Sequence, residues 1–149
     1  MTYSKCGYKK CVEDLFACQN VNLMSQFMQH GHVSCLDHSK SVSYGSYVIC
    51  KILKLDYRSA ARGGLLHDYF LYDWHDSTVF LHGVSHPRLA LKNAQRDFEI
   101  NKIECDIIKK HMWPLTFIPP KYCESMIINL VDKYCTIAEF FKLSRSQGK

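Results

Sequence analysis

Apolar residues recur at helical intervals through most of the chain. Between about residues 11 and 29 they return at spacings of three and four, with polar interruptions, which predicts one or two short helices. Ser34, followed three residues later by Asp37, is typical of a helix N-cap and predicts a long helix that ends near Leu55. A third helix is predicted at about 57–67. No segment alternates apolar and polar residues as a half-buried strand does.

The second half of the chain continues this helical pattern. Pro87 suits the first position of a helix and predicts that a helix begins at about His86. Asn101 and Glu104 form a capping-box pattern at the start of the next helix. A pair of prolines then separates that helix from a last one at about 121–141. We therefore expect an all-α fold, a compact and roughly orthogonal bundle of about five to seven helices.

The length indicates one domain, since 149 residues bury a sufficient core without a second unit. We assign the core to 34–135, a helical N-terminal extension to 1–33 and a basic tail to 142–149. No apolar run approaches the roughly 20 residues of a membrane span, and the first residues have no apolar signal core. A cytoplasmic protein with no membrane partner is expected.

Charge and cysteine spacing narrow the range of partners and sites. The net charge of +5 is spread along the chain, which does not favour a nucleic-acid polymer but is compatible with small phosphorylated anions. The eight cysteines include no Cys-x-x-Cys pair and are expected to be reduced thiols. A soft-metal site at Cys6, Cys11 and Cys18 is an open alternative.

Several residues of metal-ligand type are predicted to point into the core. His67-Asp68 follows the apolar pair Leu65-Leu66, and His38 shares a helix face with aliphatic residues. For His38 and His67, a hydrogen-bonded core residue is the alternative, and Asp132 could instead turn outwards. His82 competes with His86 for one position. The candidate ligands are His38, His67, Asp68, His86, His111 and Asp132.

Three local anchors carry a family resemblance: Asp37-His38-Ser39, Gly64-Leu65-Leu66-His67-Asp68 and Val131-Asp132-Lys133. In this order, from about residue 34 to residue 135, the chain resembles the metal-dependent HD superfamily of phosphohydrolases, in particular its small single-domain bacterial members.

The resemblance implies a binuclear site for divalent metal ions, which could be Mn, Fe, Co, Ni, Zn or Mg. His38, His67, Asp68 and Asp132 would hold one ion. Asp68, His86 and His111 would hold the other, so that Asp68 is the bridge. A metal-activated water would be the nucleophile, with His67 and Asp68 as catalytic residues.

The chain departs from the family where a phosphate should be gripped. Tyr69 and Phe70 stand where many members have Gly-Lys, so the usual phosphate-binding lysine is absent. Candidate replacements are Arg62 and Arg88, for which a surface or structural role is the alternative. Candidates in the following loop are Trp74 as a substrate contact and Asp73 as a substrate contact or general acid/base.

The expected function is hydrolysis of a small phosphate ester or nucleotide, with phosphomonoesterase and phosphodiesterase activity both open. His111 is followed by Met112 and no Gly-Tyr-Pro signature follows, which argues against a cyclic-dinucleotide phosphodiesterase. Two alternatives stay open. One is a di-iron oxygenase that uses the same ligands, and the other is a non-catalytic metal-binding or ligand-binding regulatory module.

Overall fold

A computed structural model describes residues 5–30, 32–71 and 82–146 of the chain. Its elements, in chain order, are α1 (Lys5–Ala17), α2 (Gln19–Leu23), a 3-10 turn (Met24–Gln26), β1 (Met28–His30), β2 (Val33–Ser34), α3 (Cys35–Ile52), α4 (Tyr57–Leu66), α5 (His82–Asp97), α6 (Lys102–Lys110) and α7 (Cys123–Ser146). Helix α3 packs against α4 and α7, and α6 packs against α4, α5 and α7.

The predicted all-α fold is confirmed, with one small addition. The described residues form seven helices and one antiparallel ribbon of two short strands, in which Met28 pairs with Ser34. The ribbon lies between the 3-10 turn and α3. Strands of three and two residues are too short to leave an alternating pattern in the sequence.

Two helix starts follow the predicted capping chemistry. Ser34 Oγ accepts a hydrogen bond from the backbone N–H of Asp37 at 3.1 Å, which begins α3. Asn101 and Glu104 form the complete capping box of α6. Because these bonds satisfy backbone donors at the first turn, the local sequence alone sets both starts.

The predicted start of α5 is wrong by about one turn. The helix begins at His82, so Pro87 lies inside it rather than at its first position. Proline has no backbone N–H and loses one bond of the helical ladder in the second turn. His86 is therefore held within a helix.

Two glycines of α4 allow close approach of the neighbouring helices. A Cβ atom on Gly64 would lie 2.9 Å from the backbone Cα of Ser43 in α3, and one on Gly63 would lie 2.6 Å from the Ile107 side chain in α6. Ser43 Oγ also donates to the carbonyl of Ala61 at 2.6 Å. The end of α4, where His67 and Asp68 follow, is thereby fixed against both helices.

The N-terminal segment belongs to the same hydrophobic core as the rest of the bundle. Val12, Leu15, Val21 and Met24 are completely buried and cluster with residues of α3 to α6. All eight cysteines are free thiols. Within the described ranges, no helix combines the length and the apolar character that a membrane crossing requires.

Candidate metal centre

Two of the candidate histidines stand directly after the ends of helices. His67 follows α4 and its Nδ1 lies 2.8 Å from the carbonyl of Gly64, while His111 follows α6 and its Nδ1 lies 2.9 Å from the carbonyl of Ile108. The last carbonyls of a helix lack intrahelical donors, so each imidazole N–H caps its own helix. With Nδ1 protonated, a neutral ring has its lone pair on Nε2. Both Nε2 atoms are thus prepared as ligands.

His38 is oriented by a carboxylate. It lies in the first turns of α3 and is completely buried, and its Nδ1 donates to Glu139 Oε2 of α7 at 3.0 Å. Its Nε2 lies 2.9 Å from Asp132 Oδ1, also on α7. A carboxylate on the far nitrogen of a metal-binding histidine fixes its tautomer and raises its basicity.

The fourth histidine completes a continuous row of imidazole rings. His86 of α5 lies next to His111, with ring centroids 4.9 Å apart and Nε2 atoms 2.8 Å apart. His111 lies 4.9 Å from His67, and His67 lies 5.6 Å from His38. Four helices and helix ends that are far apart in sequence therefore deliver four buried imidazoles to one place.

The ligand atoms form two groups that could hold a metal ion. The first group is His38, His67 and Asp132, and the second is Asp68, His86 and His111. Atoms that bind one ion at about 2.1 Å lie about 3.0 to 3.4 Å from one another in octahedral or tetrahedral geometry. In the first group, Asp132 Oδ1 lies 2.9 Å and 3.6 Å from the two imidazole nitrogens. In the second group, Asp68 Oδ1 lies 3.2 Å from His86 Nε2 and 3.3 Å from His111 Nε2.

Asp68 stands between the two groups. Its Oδ1 faces the second group, while its Oδ2 lies 3.3 Å from His67 Nε2 of the first. Gln29 of β1 donates from Nε2 to the same Oδ2 at 2.6 Å. One carboxylate that offers a different oxygen to each group has the arrangement that a bridging ligand requires.

Two buried atoms at the centre lack the partners that a finished polar core would give them. Within the described part of the chain, His67 Nε2 and Asp68 Oδ1 make no hydrogen bond of good geometry, although both residues are almost fully buried, and the nearest imidazole or carboxylate atoms lie 3.2 to 3.6 Å from them. A buried polar atom without a partner costs roughly 1–3 kcal/mol. A cation between these ligand atoms would satisfy both of them. The residues present therefore fit a metal ion.

The charges of the site also fit a bound cation. Burial opposes protonation of His38, but Asp132 and Glu139 outweigh it and raise the pKa of His38 to about 9. Burial likewise opposes charge on His67, yet Asp68 and Asp132 raise its pKa well above the usual value. Burial lowers the pKa of His111. Asp68 and Asp132 thus favour positive charge beside them, and either protons or metal ions can supply it.

Arg62, a predicted substrate residue, has its guanidinium bound elsewhere. It is 6% exposed, its Nε donates to Glu104 Oε1 at 2.8 Å, and its Nη1 donates to Asp14 Oδ1 at 2.6 Å. Its Nη2 also donates to the carbonyl of Glu99. The surrounding pocket contains none of the candidate ligands. The structure therefore places Arg62 in a structural ion pair, the alternative that the sequence left open.

Arg88, the second predicted substrate arginine, is not brought to the ligand cluster. Arg88 is exposed and lies two positions after His86 on the helix α5. Residues two apart on a helix do not share a face, so Arg88 points away from the side that His86 presents. Asp73 and Trp74 lie outside the described residues, and so does the side chain of His82.

Several residues around the centre were not predicted. Glu139 lies two turns after Asp132 on the inner face of α7, so the helical period could have revealed it. Asn129 donates from Nδ2 to the carbonyl of His111 at 2.6 Å, which ties α7 to the second group. No local pattern marks Gln29, because its position depends on how the ribbon packs over the bundle.

The chain matches no family model, no curated protein and no solved structure. The resemblance to the HD superfamily therefore rests on the motifs of this chain alone.

Proposed function

We propose that the protein is a metal-dependent phosphohydrolase that acts on a small phosphate ester or nucleotide. The observation that carries this proposal is the position of Asp68 between two ligand groups, with a different oxygen facing each. Paired metal sites a few Å apart are typical of phosphatases and nucleases. The resemblance of the anchors to the HD superfamily supports the same reaction class.

The residues would divide the work in the following way. His38, His67 and Asp132 would hold one divalent ion, His86 and His111 would hold another, and Asp68 would reach both. Bound ions of this kind lower the pKa of a coordinated water and stabilise charge on phosphoryl oxygens.

The surrounding side chains keep these ligands in place. Glu139 and Gln29 orient His38 and Asp68 through hydrogen bonds of 3.0 Å and 2.6 Å. Burial of the cluster excludes bulk water and strengthens every electrostatic interaction within it. The protein's own contribution is therefore a set of ligands that is held in place by hydrogen bonds and shielded from bulk water.

No arginine of the predicted set remains available to grip the phosphate. Arg62 is paired with carboxylates and Arg88 faces away from His86. Tyr69 and Phe70, which replace the family's Gly-Lys, are buried. The proposal therefore assigns recognition of the substrate's negative charge to the metal sites themselves.

The test is hydrolysis by metal-loaded protein of a panel of sugar phosphates, nucleoside monophosphates and phosphodiesters. We expect turnover of at least one class with Mn, Co or Zn, and its loss in His67→Ala and Asp68→Asn. His32→Ala is the matched control, because His32 is exposed and is not part of either group.

A different outcome would replace the proposal. The same histidine and carboxylate ligands also suit iron. Protein that binds iron, consumes dioxygen and hydrolyses no member of the panel would be an oxygenase. Protein that binds two metals and is inert in both assays would be a regulatory module, and phosphohydrolysis would be rejected.

A further inference from the structure

The outer face of α7 carries a stripe of exposed apolar side chains. Leu130, Tyr134, Ile137 and Phe141 are 59%, 73%, 56% and 67% exposed. They follow one another at intervals of four, three and four residues, which places them in one row along the helix. This spacing is that of the a and d positions of a coiled coil. We call these four residues the α7 stripe.

Most of the surface of the stripe is not covered by the part of the chain that the structure describes. The opposite face of α7 packs on α3 and α6 and carries the buried residues Ser125, Ile128, Asn129, Asp132 and Glu139. That face holds the bundle together and orients His38. The stripe points the other way, so neither the core nor the candidate metal centre accounts for it.

The exposed area of the stripe matches what a homodimer interface needs. At about 200 Å² for a large apolar side chain, these four exposures amount to on the order of 500 Å². A typical interface buries about 800 Å² per partner, and homodimer interfaces are about 65% apolar, which again gives about 500 Å² of apolar surface. The stripe can therefore supply the apolar part of a stable dimer contact.

We propose that α7 pairs in antiparallel orientation with α7 of a second copy of this chain. The spacing of four, three and four reads the same in both directions, so a two-fold axis between Tyr134 and Ile137 makes the stripe self-complementary. Leu130 then faces Phe141 of the partner subunit, and Tyr134 faces Ile137 of the partner subunit. Each aromatic side chain meets an aliphatic one, which favours close packing.

This dimer is independent of the proposed function, since the stripe and Asp132 lie on opposite faces of α7. Its geometry makes a specific prediction about charge. Residue 134 of one copy faces residue 137 of the other in the antiparallel pair, whereas in a parallel pair residue 134 would face its own equivalent. Opposite charges at these two positions can therefore restore an antiparallel dimer but not a parallel one.

The test is the mass of the full chain in solution, measured by sedimentation equilibrium across a dilution series. We expect a dimer for the wild type, a twofold lower mass for Ile137→Glu, and a dimer again for Tyr134→Lys/Ile137→Glu. Ile52→Glu is the control, because Ile52 on α3 is 55% exposed and lies outside the stripe. It should remain dimeric. Far-ultraviolet circular dichroism verifies that each variant keeps its helical content.

Three results would overturn the proposal. A wild type that is monomeric at every concentration would leave the stripe to another partner. An Ile137→Glu variant with unchanged mass would place the dimer contact elsewhere. A double variant that stays monomeric, with its helical content intact, would exclude the antiparallel geometry.

Discussion

Two polar clusters, one around Arg62 within α4 and one around His67 and Asp68 directly after α4, differ in how completely their atoms are paired. In the first, the guanidinium of Arg62 binds Asp14, Glu104 and the carbonyl of Glu99. In the second, His67 Nε2 and Asp68 Oδ1 are buried without a hydrogen bond of good geometry among the described residues. Buried polar groups are normally paired. The complete cluster therefore serves the fold, and the incomplete one consists of residues that could hold a metal ion.

Loss of Arg62 should give the largest change in stability. The Arg62→Met variant leaves Glu104, which is 2% exposed, without its counter-charge. Breaking a buried pair in this way costs about 3–5 kcal/mol in the free energy of unfolding. Urea denaturation measures it, and metal content per folded chain should not change.

Lys40→Met provides the matched control for that variant. Lys40 pairs with Asp37 at 3.5 Å on the surface, with side chains that are 43% and 66% exposed. A loss below about 1 kcal/mol is expected for such an exposed pair. Equal losses in the two variants would show that Arg62 is not a structural residue of the kind described.

Loss of Asp68 should reduce metal binding and have little effect on the stability of the metal-free protein. The Asp68→Asn variant removes the carboxylate that faces both ligand groups, but the metal-free fold keeps its helix caps at Gly64 and Ile108. Wild-type protein should gain about 4 kcal/mol of stability at a metal concentration a thousand times the Kd. We expect the variant to lose most of this gain, as measured by thermal unfolding with and without Zn²⁺. An equal gain in both proteins would remove Asp68 from the metal centre.

Glu139 should have a smaller effect on metal binding than Asp68, because it acts through His38. The Glu139→Gln variant keeps the size of the side chain but removes the charge beside Nδ1 of His38. Substitution of such an outer carboxylate typically weakens metal affinity by 10- to 100-fold. Competition titration with a chelating dye measures this change. Retention of wild-type affinity would show that the 3.0 Å contact does not support the metal centre.

The last effect expected is a change in the pH dependence of stability. The pKa of His38 is raised to about 9 in the metal-free fold, against about 6.5 in the unfolded chain. Its contribution to stability is therefore complete below pH 6.5 and is lost as the pH rises through about 9. Metal binding displaces the protons of the ligand residues, so the affinity of the protein for the metal should instead increase as the pH rises.

Denaturation of both forms between pH 7 and pH 9 compares their slopes: the metal-free protein should lose stability as the pH rises, and the metal-loaded protein should not. Arg62 adds nothing to either slope, because its pKa is raised further above its usual high value and the residue stays charged throughout this pH range. Parallel slopes for the metal-free and metal-loaded forms would contradict the link between His38 and the metal.

The difference between the two clusters also explains what the sequence could and could not reveal. Helix periodicity and the caps at Ser34 and Asn101 are local, and the all-α fold follows from them. The six candidate ligand residues lie on helix faces or at helix ends, where their spacing and the resemblance to the HD superfamily predicted them. Pro87 misled the prediction of the α5 start, because the turn before it is helical as well.

Contacts between distant segments were beyond the reach of local patterns. Asp14 lies 48 residues before Arg62, and Gln29 lies 39 residues before Asp68. Both contacts arise only when the N-terminal segment packs on the bundle. The sequence therefore offered Arg62 as a substrate residue and gave no sign of Gln29, whereas Glu139 shares a helix face with Asp132 and was within reach.

The most direct test of the metal centre is elemental analysis of the protein purified without chelators and then loaded with Mn, Fe or Zn. The wild type and His32→Ala should each hold about two first-row metal ions per chain, and Asp68→Asn should hold less than one. A wild type that retains no metal after loading, or an Asp68→Asn variant with the wild-type content, would contradict the assignment of the histidine cluster as a metal site.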